Sequence, residues 1–223
     1  MTLGIYGSSG TGRELYGMIQ TMQDNIWEQI VFIDDTKEEG LTCDCPRMPF
    51  DTFQSRYKPH NAKIVIAVGE PKIREILYSR VKKQGYSLAT IIHPSSIVFH
   101  SVILGEGCVV KMHCILSDSL RLDDNVYIQS NVIIGHDAVV HKHSVISSFC
   151  AISGNCSLGE RVFMGIHSCV REKTIVGSNA VIAMAAAVMK DVPENATVMG
   201  NPARIVTVNK QHTVFGERIV HER

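Results

Sequence analysis

A histidine beside a carboxylate is the clearest candidate for chemistry in this chain of 223 residues. In the run Gly135-His136-Asp137, the carboxylate follows the histidine directly. A carboxylate that hydrogen-bonds an imidazole fixes the tautomer of the ring and raises its basicity, which is what a general base requires. The pair therefore predicts proton removal from a bound ligand by His136, provided that the surrounding elements bring a ligand to it.

The elements that carry this pair repeat every six residues. An aliphatic residue or methionine stands at every sixth position from Ile92 to Val188, and the residues four places later are mostly small. A helix repeats at about 3.6 residues and a strand at 2, so neither explains the pattern. Period six is typical of a parallel β-helix of hexapeptides, in which three short strands form each coil.

Three hexads make one coil, so residues 18 positions apart are expected to stack about 4.8 Å from each other. One such column contains His100, Asp118, His136, Gly154 and Glu172. Asp118 is therefore a second candidate to orient the imidazole from the neighbouring coil. Gly154, on the opposite side of His136, is expected to leave space for a ligand.

Before Ile92 the hexads disappear and strands alternate with helices, which indicates a small parallel sheet wrapped by helices. We predict strands at 3–6, 29–33, 63–69 and 88–92, and helices at 13–22 and 71–84. The segment 36–61 contains three prolines and is predicted to be irregular.

A glycine-rich run joins the first strand to the first helix, where backbone N–H groups can bind phosphate. Its residues, all candidates for substrate binding, are Gly7, Ser8, Ser9, Gly10, Thr11 and Gly12. The spacing differs from the dinucleotide pattern, and ninety residues hold about half of a Rossmann fold, so a nucleotide-linked small molecule is favoured over NAD. A turn without a ligand is the alternative. Asp34 and Asp35 are candidates to bind ribose or base, and Gly69 ends the third strand.

Composition narrows the class of protein. The 22 basic residues balance the 22 acidic ones, which argues against nucleic acid or an anionic membrane as a partner. No apolar run reaches the roughly 18 residues that span a bilayer, and the N-terminus lacks a signal-peptide pattern, so a cytoplasmic location is expected. Four of the seven cysteines occupy small inward positions of the hexads, where we expect them to pack as small hydrophobes. They are Cys108, Cys114, Cys150 and Cys156.

Several stretches together resemble one group of enzymes. They are Tyr6-Gly7-Ser8-Ser9-Gly10-Thr11-Gly12, Phe32-Ile33-Asp34-Asp35, Ile66-Ala67-Val68-Gly69, Ile92-His93-Pro94-Ser95, Gly135-His136-Asp137, Ile152-Ser153-Gly154-Asn155, Asp191-Val192-Pro193 and Gly200-Asn201-Pro202-Ala203-Arg204. Nearly the whole chain resembles the sugar acetyltransferases of the sialic acid O-acetyltransferase and bacillosamine-pathway N-acetyltransferase group. These are left-handed β-helix acyltransferases.

The resemblance implies an α/β plus all-β architecture. A small Rossmann-like domain at 1–91 binds the nucleotide sugar, a left-handed parallel β-helix occupies 92–193, and a turn and tail follow at 194–223. It implies a homotrimer with active sites between neighbouring β-helices, acetyl-CoA as donor and no metal. The acceptor is the amine of a nucleotide-linked amino sugar, of the 4-amino-4,6-dideoxy type, in bacterial surface glycan biosynthesis. His136 would act as base, with Asp137 as its acidic partner.

The donor would lie along the stacked coils and the C-terminal turn. The residues expected to bind it are Gly154, Ile166, Met184, Asn201 and Arg204. Three positions depart from the group: Thr11 stands where members often carry histidine, Val145 where some carry a second histidine near the donor carbonyl, and His141 where a glycine is usual.

Two other activities stay open at this point. Related members acetylate hydroxyl groups, so a sugar or sialic acid O-acetyltransferase is the nearer alternative. His136 and His141 also have the H-x4-H spacing of γ-class carbonic anhydrases, which share the β-helix, and His100 could be a third zinc ligand. A non-catalytic sensor of nucleotide sugars is a third class, but it leaves His136 without a role. The sequence does not indicate which nucleotide or sugar is used.

Overall fold

The computed structural model describes residues 1–23 and 26–215. The chain begins with a six-stranded sheet in the order β3-β4-β2-β1-β5-β6 and three helices. Its elements are β1 (Thr2–Tyr6), α1 (Gly10–Gln20), β2 (Gln29–Ile33), β3 (Gly40–Thr42), β4 (Cys45–Met48), α2 (Phe50–Arg56), β5 (Ala62–Ile66), α3 (Pro71–Lys83) and β6 (Ser87–Leu88). The central strand β1 pairs in parallel with β2 on one side and β5 on the other. In such sheets ligands bind where neighbouring connections diverge, at the carboxyl end of the central strand.

The prediction of an irregular segment at 36–61 is wrong. Residues 40–48 form a hairpin, β3 and β4, and β4 also pairs in parallel with β2 through Phe32↔Arg47 and Ile33↔Met48. Pro46 lies in β4 just before these pairs, and Pro49 immediately precedes α2. The prolines therefore stand where a missing N–H group is tolerated, and they do not interrupt the elements.

The hexads form seventeen two-residue strands, as the periodicity predicts. They are β7 (Ile91–Ile92), β8 (Ile97–Val98), β9 (Ile103–Leu104), β10 (Val109–Val110), β11 (Ile115–Leu116), β12 (Arg121–Leu122), β13 (Tyr127–Ile128), β14 (Ile133–Ile134), β15 (Val139–Val140), β16 (Val145–Ile146), β17 (Ala151–Ile152), β18 (Ser157–Leu158), β19 (Phe163–Met164), β20 (Cys169–Val170), β21 (Ile175–Val176), β22 (Val181–Ile182) and β23 (Ala187–Val188). Each strand from β7 to β20 pairs in parallel with the strand three positions later in the chain, which gives a left-handed β-helix with three faces. Face 1 begins with β7, face 2 with β8 and face 3 with β9.

The second residue of each strand points inward, and these aliphatic side chains form one continuous core. The predicted ladder is thereby confirmed. One corner residue per hexad, from His113 to Ala185, has φ between 56° and 64°, and this left-handed residue turns the chain from one face to the next.

The buried cysteines do more than pack. The Sγ of Cys108 donates to the carbonyl of Asp123 at 3.1 Å, and the Sγ of Cys150 donates to the carbonyl of Gly165, also at 3.1 Å. Ser144 uses its hydroxyl in the same way toward Gly159 at 3.0 Å. The small inward residue therefore also satisfies a corner carbonyl on the next coil, a role that alanine could not perform. Burial raises the pKa of the Cys108 thiol to about 11.

Face 1 packs against the N-terminal sheet and α1, where outward residues such as Val109, Tyr127 and Val145 join an apolar cluster with Leu15 and Met18. A polar network of Arg74, Asn125 and His143 supplements this contact, and we call it the interdomain network. Fully buried Arg74 on α3 donates to the backbone carbonyl of Asn125 at 2.9 Å, and the Asn125 amide lies 3.0 Å from His143 Nδ1. The network links α3 to a β-helix corner.

Two further strands, β24 (Ala196–Met199) and β25 (Arg204–Val208), extend face 1 beyond residue 193. The division of the chain at 91 and 193 remains a prediction. Within the described residues, no helix has the length and apolar character needed to cross a membrane.

Candidate active site

His136 and Asp137 lie at the corner between faces 2 and 3, directly after β14. The His136 Nδ1 atom is 2.7 Å from Asp137 Oδ2, and the two side chains are 61% and 55% exposed. An ionised carboxylate can only accept a hydrogen bond, so Nδ1 carries the hydrogen and Nε2 holds the basic lone pair. The corner thus presents an oriented, accessible base to a ligand outside the β-helix.

Asp118 is engaged elsewhere. Its carboxylate accepts hydrogen bonds from the hydroxyl of Ser101 and, at 3.3 Å, from that of Ser119. The bond from Ser101 is the main cause that lowers the pKa of Asp118, and the charge of His136 adds a smaller effect. Of the two carboxylates that could orient the imidazole, Asp137 is the one in contact with it.

The imidazole of His136 lies directly against Gly154. A Cβ atom built on Gly154 would lie 2.7 Å from His136 Nε2 and 2.9 Å from its Cε1. The imidazole therefore lies where a side chain of residue 154 would be, and the expectation that this glycine leaves room for a ligand stays a prediction.

The glycine-rich run forms a tight connection between β1 and α1. Gly7 has φ of 115°, and a Cβ on Gly12 would lie 1.9 Å from the Gly7 carbonyl oxygen, so both positions require glycine. Ser9 and Gly10 are exposed, Thr11 is half-buried, and the first turn of α1 contains no acidic side chain. The helix start is consequently open to an anion such as a diphosphate.

Asp34, at the end of β2, holds this run in place. Its Oδ2 accepts hydrogen bonds from the hydroxyl and the backbone N–H of Ser8, and its Oδ1 accepts two from Thr36. Burial disfavours the charged form of Asp34, but these hydrogen bonds outweigh it and lower the pKa of the carboxyl.

Asp35 belongs to a second group of polar residues. It accepts hydrogen bonds from the Tyr6 hydroxyl and, at 2.8 Å, from Arg80, while its other oxygen accepts the Phe50 N–H at 2.9 Å. Burial first, and then the bond to Asp35, raise the pKa of Tyr6. Both aspartates thus use their oxygens to shape the loop around them.

A cavity of about 370 Å³ opens at the carboxyl ends of β1 and β2. Its wall contains Gly7, Ser9, Asp34 and Asp35, and Gly69 follows β5 at the same edge of the sheet. Sequence reasoning missed the other residues of the wall: Tyr6, Ile33, Thr36, Lys37, Val68, Ile73 and Leu77. Of these residues, Lys37 could have been predicted from the sequence, because it follows Asp35 by two residues and a cation is expected near a bound phosphate.

The predicted donor residues lie on both sides of face 2. Ile166 and Met184 stack at the corner between faces 1 and 2 and are 37% and 67% exposed. Gly154 lies at the opposite corner, and Asn201 and Arg204 belong to the hairpin of β24 and β25. Backbone hydrogen bonds of 3.0 and 2.8 Å tie that hairpin to both backbone groups of Ala187. The predicted donor residues therefore lie along both edges of face 2 and do not converge on one point.

His136 and His141, two of the histidines of the carbonic anhydrase alternative, each pair with a different carboxylate. His141 Nδ1 lies 2.7 Å from Asp123 Oδ2. The other oxygen of Asp123 accepts a hydrogen bond from Arg121, so this carboxylate bridges His141 and Arg121. Among residues 1–23 and 26–215, no three or more His, Cys, Asp or Glu side chains converge as a metal site. Val145, in place of the second histidine of the group, is fully buried under α1. His221 lies outside the described residues.

Comparison with known proteins identifies the relatives of this fold. Residues 2–81 match the family described as PglD N-terminal domain. The acetyltransferase domain of PglB from Neisseria gonorrhoeae, solved with acetyl coenzyme A, is 29% identical with a TM-score of 0.84, over 92% of this chain and 98% of that one. WeeI from Acinetobacter baumannii is 25% identical with a TM-score of 0.83, over 92% and 100%. PerB from Caulobacter crescentus, solved with CoA and GDP-perosamine, is 22% identical with a TM-score of 0.85, over 93% and 98%.

The fold and the comparisons define a β-helix acetyltransferase of the hexapeptide type. The predicted resemblance, fold class and enzyme class are confirmed. The N-terminal segment matches the PglD family in particular, and the Neisseria relative carries the predicted donor, acetyl-CoA.

Proposed function

We propose that the protein transfers the acetyl group of acetyl-CoA to the amine of a nucleotide-linked amino sugar of the 4-amino-4,6-dideoxy type. The observation that carries the proposal is the exposed His136–Asp137 pair, with its basic Nε2 atom, on a β-helix joined to a phosphate-compatible glycine loop. The sugar nucleotide occupies the cavity of Gly7, Asp34, Asp35 and Lys37. Bacterial surface glycan biosynthesis and a cytoplasmic location fit these substrates.

The reaction requires a neutral amine. The amine nitrogen attacks the thioester carbonyl, an amide forms, and the C–S bond breaks so that coenzyme A leaves as a thiolate. His136 Nε2 accepts the proton that the nitrogen loses, and Asp137 stabilises the resulting imidazolium. The thiolate then takes the proton that His136 has accepted, so that coenzyme A is released as its thiol and the base is regenerated. Ile166, Met184, Asn201 and Arg204 bind the donor in this proposal, because they lie exposed along the stacked coils and the adjoining hairpin.

A homotrimer would complete the site. The outward residues of face 2 include Ile97, Ile115 and Ile133, which are exposed in a single chain. A row of exposed isoleucines is typical of a surface that another subunit covers. Packing of face 2 between subunits would bring the donor residues of one chain toward His136 of the next. Light scattering should return three times the 24.6 kDa chain mass; a monomer at micromolar concentration would contradict the shared site.

The test is an acetylation assay with purified protein, acetyl-CoA and UDP-, dTDP- and GDP-linked 4-amino sugars. We expect thiol release with one of them, and a product that resists hydroxylamine because it is an amide. The matched sugar with a hydroxyl at carbon 4 serves as control. A hydroxylamine-labile ester would replace the amine acceptor by a hydroxyl, and absence of transfer together with absence of coenzyme A binding in calorimetry would end the proposal. Metal analysis of the active protein tests the carbonic anhydrase alternative.

A further inference from the structure

The imidazole of His136 lies directly against the face of Gly154 where a side chain would be. The three atoms nearest to a Cβ built on Gly154 are His136 Nε2 at 2.7 Å, Cε1 at 2.9 Å and Cδ2 at 3.1 Å. All three belong to the ring, and real Cβ atoms essentially never approach another atom to within 3.0 Å. Any side chain at position 154 would therefore collide with the ring in its present position.

Other corner glycines are required for a different reason. A Cβ on Gly135, Gly159 or Gly165 would lie 2.6 Å from a backbone nitrogen on the next coil, and one on Gly177 would lie 2.4 Å from another. Those positions need glycine because the backbones of successive coils come close. Gly154 differs from them, because the group it accommodates is a side chain of the preceding coil.

The contact involves the reactive end of the ring. Asp137 holds Nδ1 at 2.7 Å, so the basic nitrogen is Nε2, and Nε2 is the atom closest to position 154. The ring is thus located from two sides: a hydrogen bond fixes one nitrogen, and the surface of Gly154 supports the other. Both are needed, since a single hydrogen bond to an exposed carboxylate leaves the ring free to pivot about it.

We propose that Gly154 is a positioning residue for the base: the absence of a side chain at this position sets where the His136 imidazole lies. This inference rests on the proposed function, in which His136 removes the proton; that Gly154 also binds the donor stays a separate prediction. The backbone of Gly154 is outside the left-handed region, so alanine is compatible with its conformation. The exposed ring can also rotate away from a new methyl group, and the coil is expected to stay folded.

A double-mutant cycle tests the inference. We compare the natural protein with Gly154→Ala, His136→Ala and the double variant, and measure kcat and the KM for acetyl-CoA. Gly154→Ala should lower kcat by about 10²-fold, the effect of a misplacement of about 1 Å in a reacting group, with little change in KM. In the His136→Ala background the same substitution should cost nothing further. Equal losses in both backgrounds, or a raised KM with unchanged kcat, would overturn it in favour of a donor contact.

Two measurements keep the inference testable if activity fails. The ¹⁵N shifts of the His136 ring should show protonated Nδ1 in the natural protein and a solvent-like tautomer mixture in Gly154→Ala; unchanged shifts would overturn the positioning role. If Gly154→Ala lowers the melting temperature, the double variant should restore it, because the clash is with the ring. Gly17→Ala, where no atom lies within 4 Å, controls for the substitution itself. If His136→Ala retains full activity, the proposed function fails while the ring shifts still decide this inference.

Discussion

The corner that carries His136 and the corner that carries His141 and His143 come from the same hexad repeat, yet their polar groups are used differently. At the first corner, His136 is exposed, is paired with the adjacent residue Asp137, and rests on a glycine. At the second, His143 is buried and its Nδ1 accepts a hydrogen bond from Asn125, which also holds Arg74. His141 is half-buried and paired with Asp123 on the preceding coil.

The difference teaches that the neighbouring coil decides what a corner histidine does. A glycine on the next coil and open solvent leave His136 with one free nitrogen. The N-terminal domain covers the second corner, where Asn125 bonds both Arg74 and the Nδ1 atom of His143. Arg74 also bonds the carbonyls of Ile66 and Val68. The first corner is suited to a reaction, and the second to holding two domains together.

The largest effect is expected at the exposed corner. His136→Ala should lower the rate of acetylation by about 10²–10⁴-fold, the usual contribution of a positioned base, and should leave assembly unchanged because the side chain is exposed. Steady-state kinetics and light scattering on the same preparation measure both. A variant with full activity would remove His136 from the mechanism.

The next effect should fall on stability at the covered corner. Arg74→Met removes hydrogen bonds to the carbonyls of Ile66, Val68 and Asn125, at 2.7, 3.1 and 2.9 Å. Leaving these three buried carbonyls unpaired should lower the free energy of unfolding by at least about 3 kcal/mol, at about 1–3 kcal/mol per group. Urea denaturation measures it. The exposed Arg56→Met should cost less than about 1 kcal/mol, and equal losses would show that the interdomain network adds nothing.

The same corner should make stability depend on pH. Burial first, and then the charges of Arg74, Arg161 and Lys142 against a smaller opposite effect of Asp124, lower the pKa of His143 to about 4. The unfolded chain takes up a proton near the ordinary value of 6.5, whereas the native state resists protonation. Stability is therefore full above pH 6.5 and falls as the pH drops toward 4.

We expect the loss to reach about 1–3 kcal/mol, since one pKa unit corresponds to about 1.4 kcal/mol. Urea denaturation between pH 7.5 and 4.5 should show a shallower decline in His143→Gln than in the natural protein. Parallel curves for the two proteins would mean that His143 does not contribute to the pH dependence.

The smallest effect is expected for His141. Its Nδ1 is held by Asp123 and it lies at the other end of face 3 from His136, so His141→Ala should change the acetylation rate by less than about threefold, within the usual range of a surface change. Kinetics and metal analysis should be run together. A loss equal to that of His136→Ala, accompanied by bound zinc in the natural protein, would favour the metal-site alternative.

Sequence reasoning was most successful where the physical cause is local. The strand at 29–33 and the ladder from Ile92 to Val188 follow from repeating polarity, and both are present. The prediction for 36–61 was wrong, because the local preference of proline carries no information about a neighbouring strand. Strand β4 forms because its backbone pairs with the edge of β2. Sequence reasoning also treated Cys108 as a simple hydrophobe, although its thiol satisfies a carbonyl fifteen residues away.

The sequence alone determined the β-helix, the strand–loop–helix at Gly7 to Gly12 and the candidate base His136. Each of them depends on residues that are adjacent in the sequence or that recur at a fixed interval. Only the tertiary structure decided that Asp137 rather than Asp118 touches the ring, that the ring lies on Gly154, and that Arg74 and His143 join the domains. These outcomes depend on side-chain directions and on residues brought together from distant parts of the chain. A period of 18 places two residues in one column, but it does not say which way their side chains turn.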